Sequence, residues 1–177
     1  MSNQGPTGMG KAERMTLAFA SITHVWSDLL FALMVPLLVL MKEDPELSLS
    51  FVDVGLLRTV HAGAGVVLQV PFAFMAEHIG ALWLLLAGNI WVCAGFFAMA
   101  IASSLPVLLS ATLLGGLGGG TQHPIASSLV SQAYDSGARS TAVGTVNLAG
   151  DLGKMAAPAL SIILAAIGFW ALGCVTK

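Results

Sequence analysis

Asp28 and His24 stand four residues apart in a long apolar run, "THVWSDLLFALMVPLL". On a helix that spacing puts both side chains on one face. A carboxylate and an imidazole so placed can pass a proton or touch a polar solute. The alternative is an acid kept neutral by its proton or bonded to a neighbouring helix. A second group is Asn147, Asp151 and Lys154, spaced by four and three and again on one helical face. Asp151 and Lys154 can neutralise each other across one turn, and Lys154 can equally reach Asp28 across a bundle. Arg58, His61 and Gln69 share a face at spacings of three and eight. A guanidinium stays charged and forks onto carboxylate or phosphate. Alternatively Arg58, with Asp53, sits near a helix end and extends to water. His61 by itself fits a hydrogen-bonded structural histidine. A fourth polar group, Gln122, His123 and Pro124, follows the run "GGLGGG".

None of these groups has the pattern of an enzyme. There is no Ser-His-Asp grouping at recognisable spacing, no phosphate loop and no zinc pattern, and the glycine run lacks a βαβ context. His24, His61 and His123 fall on different elements with no metal motif, so neither a metal nor a cofactor is expected. Cys93 and Cys174 are far apart and form no disulfide framework. A formal net charge of −2 gives no sign of nucleic-acid binding.

The elements that must position these residues are set by composition. Of 177 residues, 56% are hydrophobic and 9% charged, whereas soluble domains carry about one quarter charged residues. The chain therefore reads as a membrane protein whose surroundings are a lipid bilayer. A crossing needs ~20 mostly apolar residues, and five segments qualify: 15–41, 50–75, 81–103, 105–132 and 140–164. A sixth begins near Phe169 and reaches only Lys177, and residues 1–14 form a polar tail. Barrel strands, ~10 residues of alternating polarity, do not fit such runs. No cleavage site follows the first segment, which is expected to be retained. Lys11 and Arg14 before the first span, and Arg139 in the fourth connection, outweigh Lys42 in the first. This places the N-terminus in the cytoplasm.

Gly115 with Gly119, and Gly116 with Gly120, put small residues four apart, where helices can approach closely. Pro124 frees carbonyls one turn earlier. Irregular backbone inside a membrane is tolerated only against protein or a wet cavity, so this segment is expected to line one. Ionisable groups at that depth are costly and face a cavity or a partner. Asp28, His123 and Asp151 are accordingly expected to converge on one wet crevice.

The stretch "AFMAEHIGAL" resembles the G-x-L-A-D-R-x-G-R-R signature between helices two and three of the major facilitator superfamily. Ala76 and Gly80 match, Glu77 stands for the acid, and His78 for the first arginine. Ala73 replaces the leading glycine, and Ala81 and Leu82 replace the trailing basic pair, which weakens the charge latch. The first apolar run, "GLGGGTQHPIASSL" and "ARSTAVGTVNLAGDLGKMAAPAL" resemble the fosmidomycin-resistance-like branch. The resemblance implies an all-α polytopic membrane fold, the N-terminal half of a major facilitator bundle, with five full transmembrane helices and an incomplete sixth. In that family helices one, two, four and five contribute most to the central path. The polar residues fall on those spans; the third has only Asn89.

The resulting expectation is a half-size or truncated secondary transporter moving a small organic solute with proton coupling. Asp28 and Asp151 would carry protons. His24, Arg58, His61, Gln69, Gln122, His123, Asn147 and Lys154 would line the substrate path, and Glu77, His78 and Gly80 would form the loop motif. Such transporters work as two halves rocking around a shared site. A second half, self-association or a larger membrane complex is therefore expected, in a bacterial inner membrane. The competing expectation is a transporter-derived structural subunit of a larger membrane complex that moves nothing.

Overall fold

The structure, a computed structural model, describes residues 10–166. The short segment expected at 169–177, and Cys174, lie outside the described residues. Among the described residues six helices follow in order: α1 (Lys11–Lys42), α2 (Phe51–Ile79), α3 (Ala81–Ala100), α4 (Leu105–Gly119), α5 (Gln122–Ala133) and α6 (Ser136–Ala166). Among the described residues α1, α2, α3 and α6 are each long and apolar enough to cross a membrane. The all-α polytopic class expected from composition is what the chain adopts.

The span expected as one helix over 105–132 is two helices, α4 and α5. Proline explains where it divides. Pro124 has no N–H to donate to the Gly120 carbonyl. The chain instead closes α4 with tighter bonds, Gly120 N–H to Leu117 O and Thr121 N–H to Gly118 O, both at 3.3 Å. It then restarts at Gln122, which places Pro124 in a first turn, where backbone donors lack intrahelical partners anyway.

Other boundaries also differ from the expectation. α1 starts at Lys11 because the Gly10 N–H donates to the Glu13 carboxylate at 2.8 Å, capping the helix early. α2 opens with a reciprocal cap. The Asp53 N–H donates to Ser50 Oγ at 3.2 Å, and the Ser50 N–H donates to the Asp53 carboxylate at 2.8 Å. Asp53 is thus a capping residue. Nothing breaks α2 before Gly80, whose φ of +96° ends it in a conformation that L side chains rarely adopt. Glu77 and His78, expected in a loop, therefore occupy the last turn of α2, and His78 Nδ1 lies 3.1 Å from the Phe74 carbonyl.

α1 is the central helix. It packs most extensively on α6 and then α5, while α4 packs on α3 and α2. Glycines set the closest approaches. A Cβ at Gly116 would collide with the His61 carbonyl of α2, and one at Gly120 with the Gly65 carbonyl. Gly115 instead meets Gly95 of α3, and Gly119 faces open space. Of the two expected small-residue pairs, only Gly116 with Gly120 seats a single neighbour. On α6, a Cβ at Gly153 would strike the Val25 carbonyl, and one at Gly150 the side chains of His24 and Asp28.

These contacts sort the interior into three layers. One apolar core gathers Ala20, Leu85, Ile125, Val130, Tyr134 and Val146 at the end where α1 begins. There the Tyr134 hydroxyl donates to the Glu13 carbonyl at 3.1 Å. A second apolar core gathers Met34, Leu38, Leu57, Met99 and Leu108 at the opposite end. Between them lie the buried polar residues His24, Asp28, His61, Thr112 and Gln122. Ile22, Val67, Trp83, Ile90, Phe97 and Ile162 are exposed on the outside, as lipid-facing residues are.

Gly116→Val should destabilise the protein by about 1–3 kcal/mol through overpacking, read as a lowered thermal unfolding midpoint in detergent. Gly63, also in α2, has no neighbour within 4 Å of an added Cβ. Gly63→Ala should leave the midpoint unchanged or raise it.

Candidate functional site

Asp28 is the hub of the polar layer. Its carboxylate is 2% exposed. Lys154 Nζ of α6 lies 3.0 Å from Oδ2, and His24 Nε2, one turn earlier on α1, lies 3.3 Å from the same oxygen. His123 Nε2 of α5 stands 3.7 Å from Oδ1. The two imidazoles meet edge to face with centroids 4.9 Å apart. Lys154 is shared, for its Nζ also donates to Asp151 Oδ1 at 3.0 Å.

Local sequence explains each position. His24 and Asp28 share a face because they are one turn apart. His123 reaches Oδ1 because α5 restarts just before it. Lys154 reaches Oδ2 because Gly150 and Gly153 remove the side chains that would hold α6 away from α1. The cluster grades from dry to wet. His24 and Asp28 are buried, whereas Lys154, His123 and Asp151 are 43%, 53% and 65% exposed.

A cavity of about 220 Å³ opens beside the hub. Ser27, Asp28 and Phe31 of α1, His61 and Gln69 of α2, and Gly119 and His123 line it, among others. Arg58 stacks on Phe31, with its guanidinium carbon 4.1 Å from the ring centroid. His61 is held by a contact of 3.4 Å between Nδ1 and the Thr112 carbonyl, and its ring lies 5.9 Å from that of Phe31.

The structure thus brings His24, Asp28, His123, Asp151 and Lys154 into one cluster and places His61 and Gln69 at the adjoining cavity, with Arg58 outside the lining and stacked on Phe31. Two other path residues expected from sequence stand elsewhere. Gln122 is buried, donates to Thr23 Oγ1 at 3.2 Å and accepts from Asn89 at 3.5 Å. It ties α5 to α1 and α3. Asn147 is exposed on α6, and its side chain makes no hydrogen bond among the described residues. Glu77 borders a separate cavity of about 410 Å³ that also reaches Pro124 and Gln132. Gly119, in the segment expected to line a cavity, does so; Ser27 and Phe31 were not apparent as lining residues, and for Phe31 the available signal was its place one turn after Asp28.

His24, Asp28 and His123 each offer one ligand atom, all within 4.8 Å of one another. That donor set suits a divalent metal in kind. The Lys154 ammonium, however, already supplies a cation at Asp28 Oδ2.

The family model of the Major Facilitator Superfamily matches residues 17–176. The chain belongs to that superfamily and is an integral membrane protein. It is 25% identical over 150 residues to the Fosmidomycin resistance protein of Escherichia coli (strain K12). The match covers 85% of this chain and 36% of that protein, so the chain spans little more than a third of the relative's length. No solved structure gives a significant match. Family and relative point to a transporter and away from an enzyme.

The Asp28–Lys154 pair should show strong coupling. Lys154→Met leaves a buried carboxylate without its cation and should lower the unfolding midpoint. Asp28→Asn combined with Lys154→Met should lose less than the sum of the single losses, by about 1–3 kcal/mol. Additive losses would show that the pair is not coupled.

Proposed function

We propose that this chain forms a helical half-bundle of a proton-coupled secondary transporter for a small organic solute. The observation that carries this reading is Asp28, 2% exposed and held between Lys154 and two histidines at 3.0–3.7 Å. A carboxylate at acyl-chain depth is rare and expensive, and this one adjoins a cavity. When a proton from water bonds to a carboxylate oxygen of Asp28, the Asp28–Lys154 attraction is lost. Lys154 keeps its second partner, Asp151, without moving far. Protonation therefore raises the charge beside the cavity by one and loosens α1 from α6. His123 is exposed and adjoins Oδ1, so it is the group through which the proton arrives; His24, behind it, holds the carboxylate in place.

The exposed polar atoms of His123, Asp151 and Lys154 require a covering wall, since lipid cannot solvate them. A second half-bundle, in the same polypeptide or another, supplies that wall and the other side of the solute site. Lys11, Arg14 and Arg139 belong to the bundle end where α1 and α6 begin. The positive-inside rule supports a cytoplasmic location for that end, and with it an N-terminus on the cytoplasmic side of a bacterial inner membrane. The relative's association with resistance to fosmidomycin favours small solutes as cargo.

Asp28→Asn should abolish gradient-driven flux in proteoliposomes while leaving the protein folded. Flux unchanged by that substitution rejects the proton role.

A further inference from the structure

Three metal-ligating side chains from two helices converge in the polar layer. His24 and Asp28 of α1 and His123 of α5 each present one ligand atom, all within 4.8 Å of one another. Zinc bonds of about 2.0–2.2 Å place tetrahedral ligands about 3.3 Å apart. His24 Nε2 stands 3.3 Å from Asp28 Oδ2, and His123 Nε2 stands 3.7 Å from Oδ1. Two edges of the ligand triangle are therefore close to their metal-bound length. The third closes by a movement of His123, which is half exposed at the start of α5, while His24 and Asp28 are held in the buried interior. Two imidazoles and a carboxylate suit a divalent transition metal and suit Mg²⁺ or Ca²⁺ poorly. The ligands come from helices that the fold brings together, so no sequence spacing announces them.

Charge favours the same occupant. Asp28 and Asp151 are two carboxylates around one ammonium, Lys154. With both imidazoles neutral, one negative charge in the cluster has no fixed counter-ion. Lys154 is also placed to release Asp28. Its Nζ lies 3.0 Å from Asp151 Oδ1 as well as 3.0 Å from Asp28 Oδ2, and the side chain is 43% exposed. When Lys154 keeps Asp151 alone, the Asp28 carboxylate is left facing His24 and His123, the other two ligands. Asp28 and His123 line the cavity of about 220 Å³. An ion therefore has a way in, and room for a water as fourth ligand.

We propose that His24, Asp28 and His123 form a site for a divalent transition-metal ion of the zinc class, which displaces Lys154 from Asp28 and ties α5 to α1. Ion and ammonium compete for one carboxylate. Metal binding stands apart from transport; only its consequence rests on the transport reading. An ion on Asp28 takes the oxygen that a proton would take and fixes α5 against α1, so it inhibits flux.

The test uses the protein in its membrane assembly, without a polyhistidine tag, reconstituted into nanodiscs. Co²⁺ is titrated alone and then displaced with Zn²⁺. The visible absorption of tetrahedral Co²⁺, lost on adding Zn²⁺, is expected. His123→Ala and Asp28→Asn should each weaken Zn²⁺ binding about tenfold or more, at least as much as loss of an outer-shell partner does. Lys154→Met removes the competing cation and should tighten Zn²⁺ binding about tenfold, a gain that like-charge repulsion at this range readily supplies. A merely structural lysine would give no such gain. His123→Ala, at a half-exposed position, keeps the test readable where a change at the α1–α6 contact prevents folding. Absence of the Co²⁺ spectrum, Zn²⁺ affinity unchanged in His123→Ala, or weaker binding in a folded Lys154→Met protein overturns the proposal. In proteoliposomes, Zn²⁺ at a concentration that fills the site should inhibit gradient-driven flux. Flux untouched by a filled site rejects the inhibition. Absence of flux without any metal rejects the transport reading and leaves the metal site standing.

Discussion

A buried carboxylate midway along a helix long and apolar enough to cross a bilayer is the constraint around which this bundle is arranged. Placing an Asp at the centre of a spanning helix costs roughly 2.5–3.5 kcal/mol by insertion scales. Asp28 is also removed from water by its own fold. It needs a cation, and the cation has to come from another helix. Lys154 supplies it at 3.0 Å, which requires the α6 backbone to lie directly against α1. Glycines at 150 and 153 make that approach possible. Side chains at those positions would push α6 outward and leave Asp28 unpaired, so the glycine placement and the charge placement are one requirement.

The same logic governs the opposite wall. The glycine run thins α4 on two sides, so α2 and α3 both approach it closely. Gly119, the member with no near neighbour, opens onto the cavity. The proline that ends the run costs little because α5 begins there, and the restart aims His123 at Asp28. Apolar cores above and below the polar layer hold the helix ends together. Hydrogen bonds and ion pairs are concentrated between them, in the polar layer around Asp28.

The spans were legible because length and hydropathy are properties of single segments. The His24–Asp28 and Asp151–Lys154 pairs were legible because helical spacing fixes them. Lys154 as a partner for Asp28 could be named as one of two options, but choosing it required the α1–α6 approach. The helix rotations were not legible. Gln122 sits beside His123 in sequence yet points to Thr23 and Asn89, and Arg58 turns onto Phe31. Such choices are set by interhelix contacts, which no local spacing encodes. The division of the fourth span at Gly120 and the continuation of α2 through Glu77 and His78 depended on where backbone donors and acceptors found partners.

Water access to the polar layer tests this picture most directly. In a background with Cys93 and Cys174 replaced, single cysteines at Ala62 and Gly119, which line the cavity, are compared with cysteines at Ile90 and Leu113, which face outward. A charged, membrane-impermeant thiol reagent is applied to the protein in bilayers with both faces accessible. Rapid modification at 62 and 119, with protection at 90 and 113, is the outcome that a wet crevice around Asp28 demands. Protection at 62 and 119 equal to that at the lipid-facing pair would contradict it.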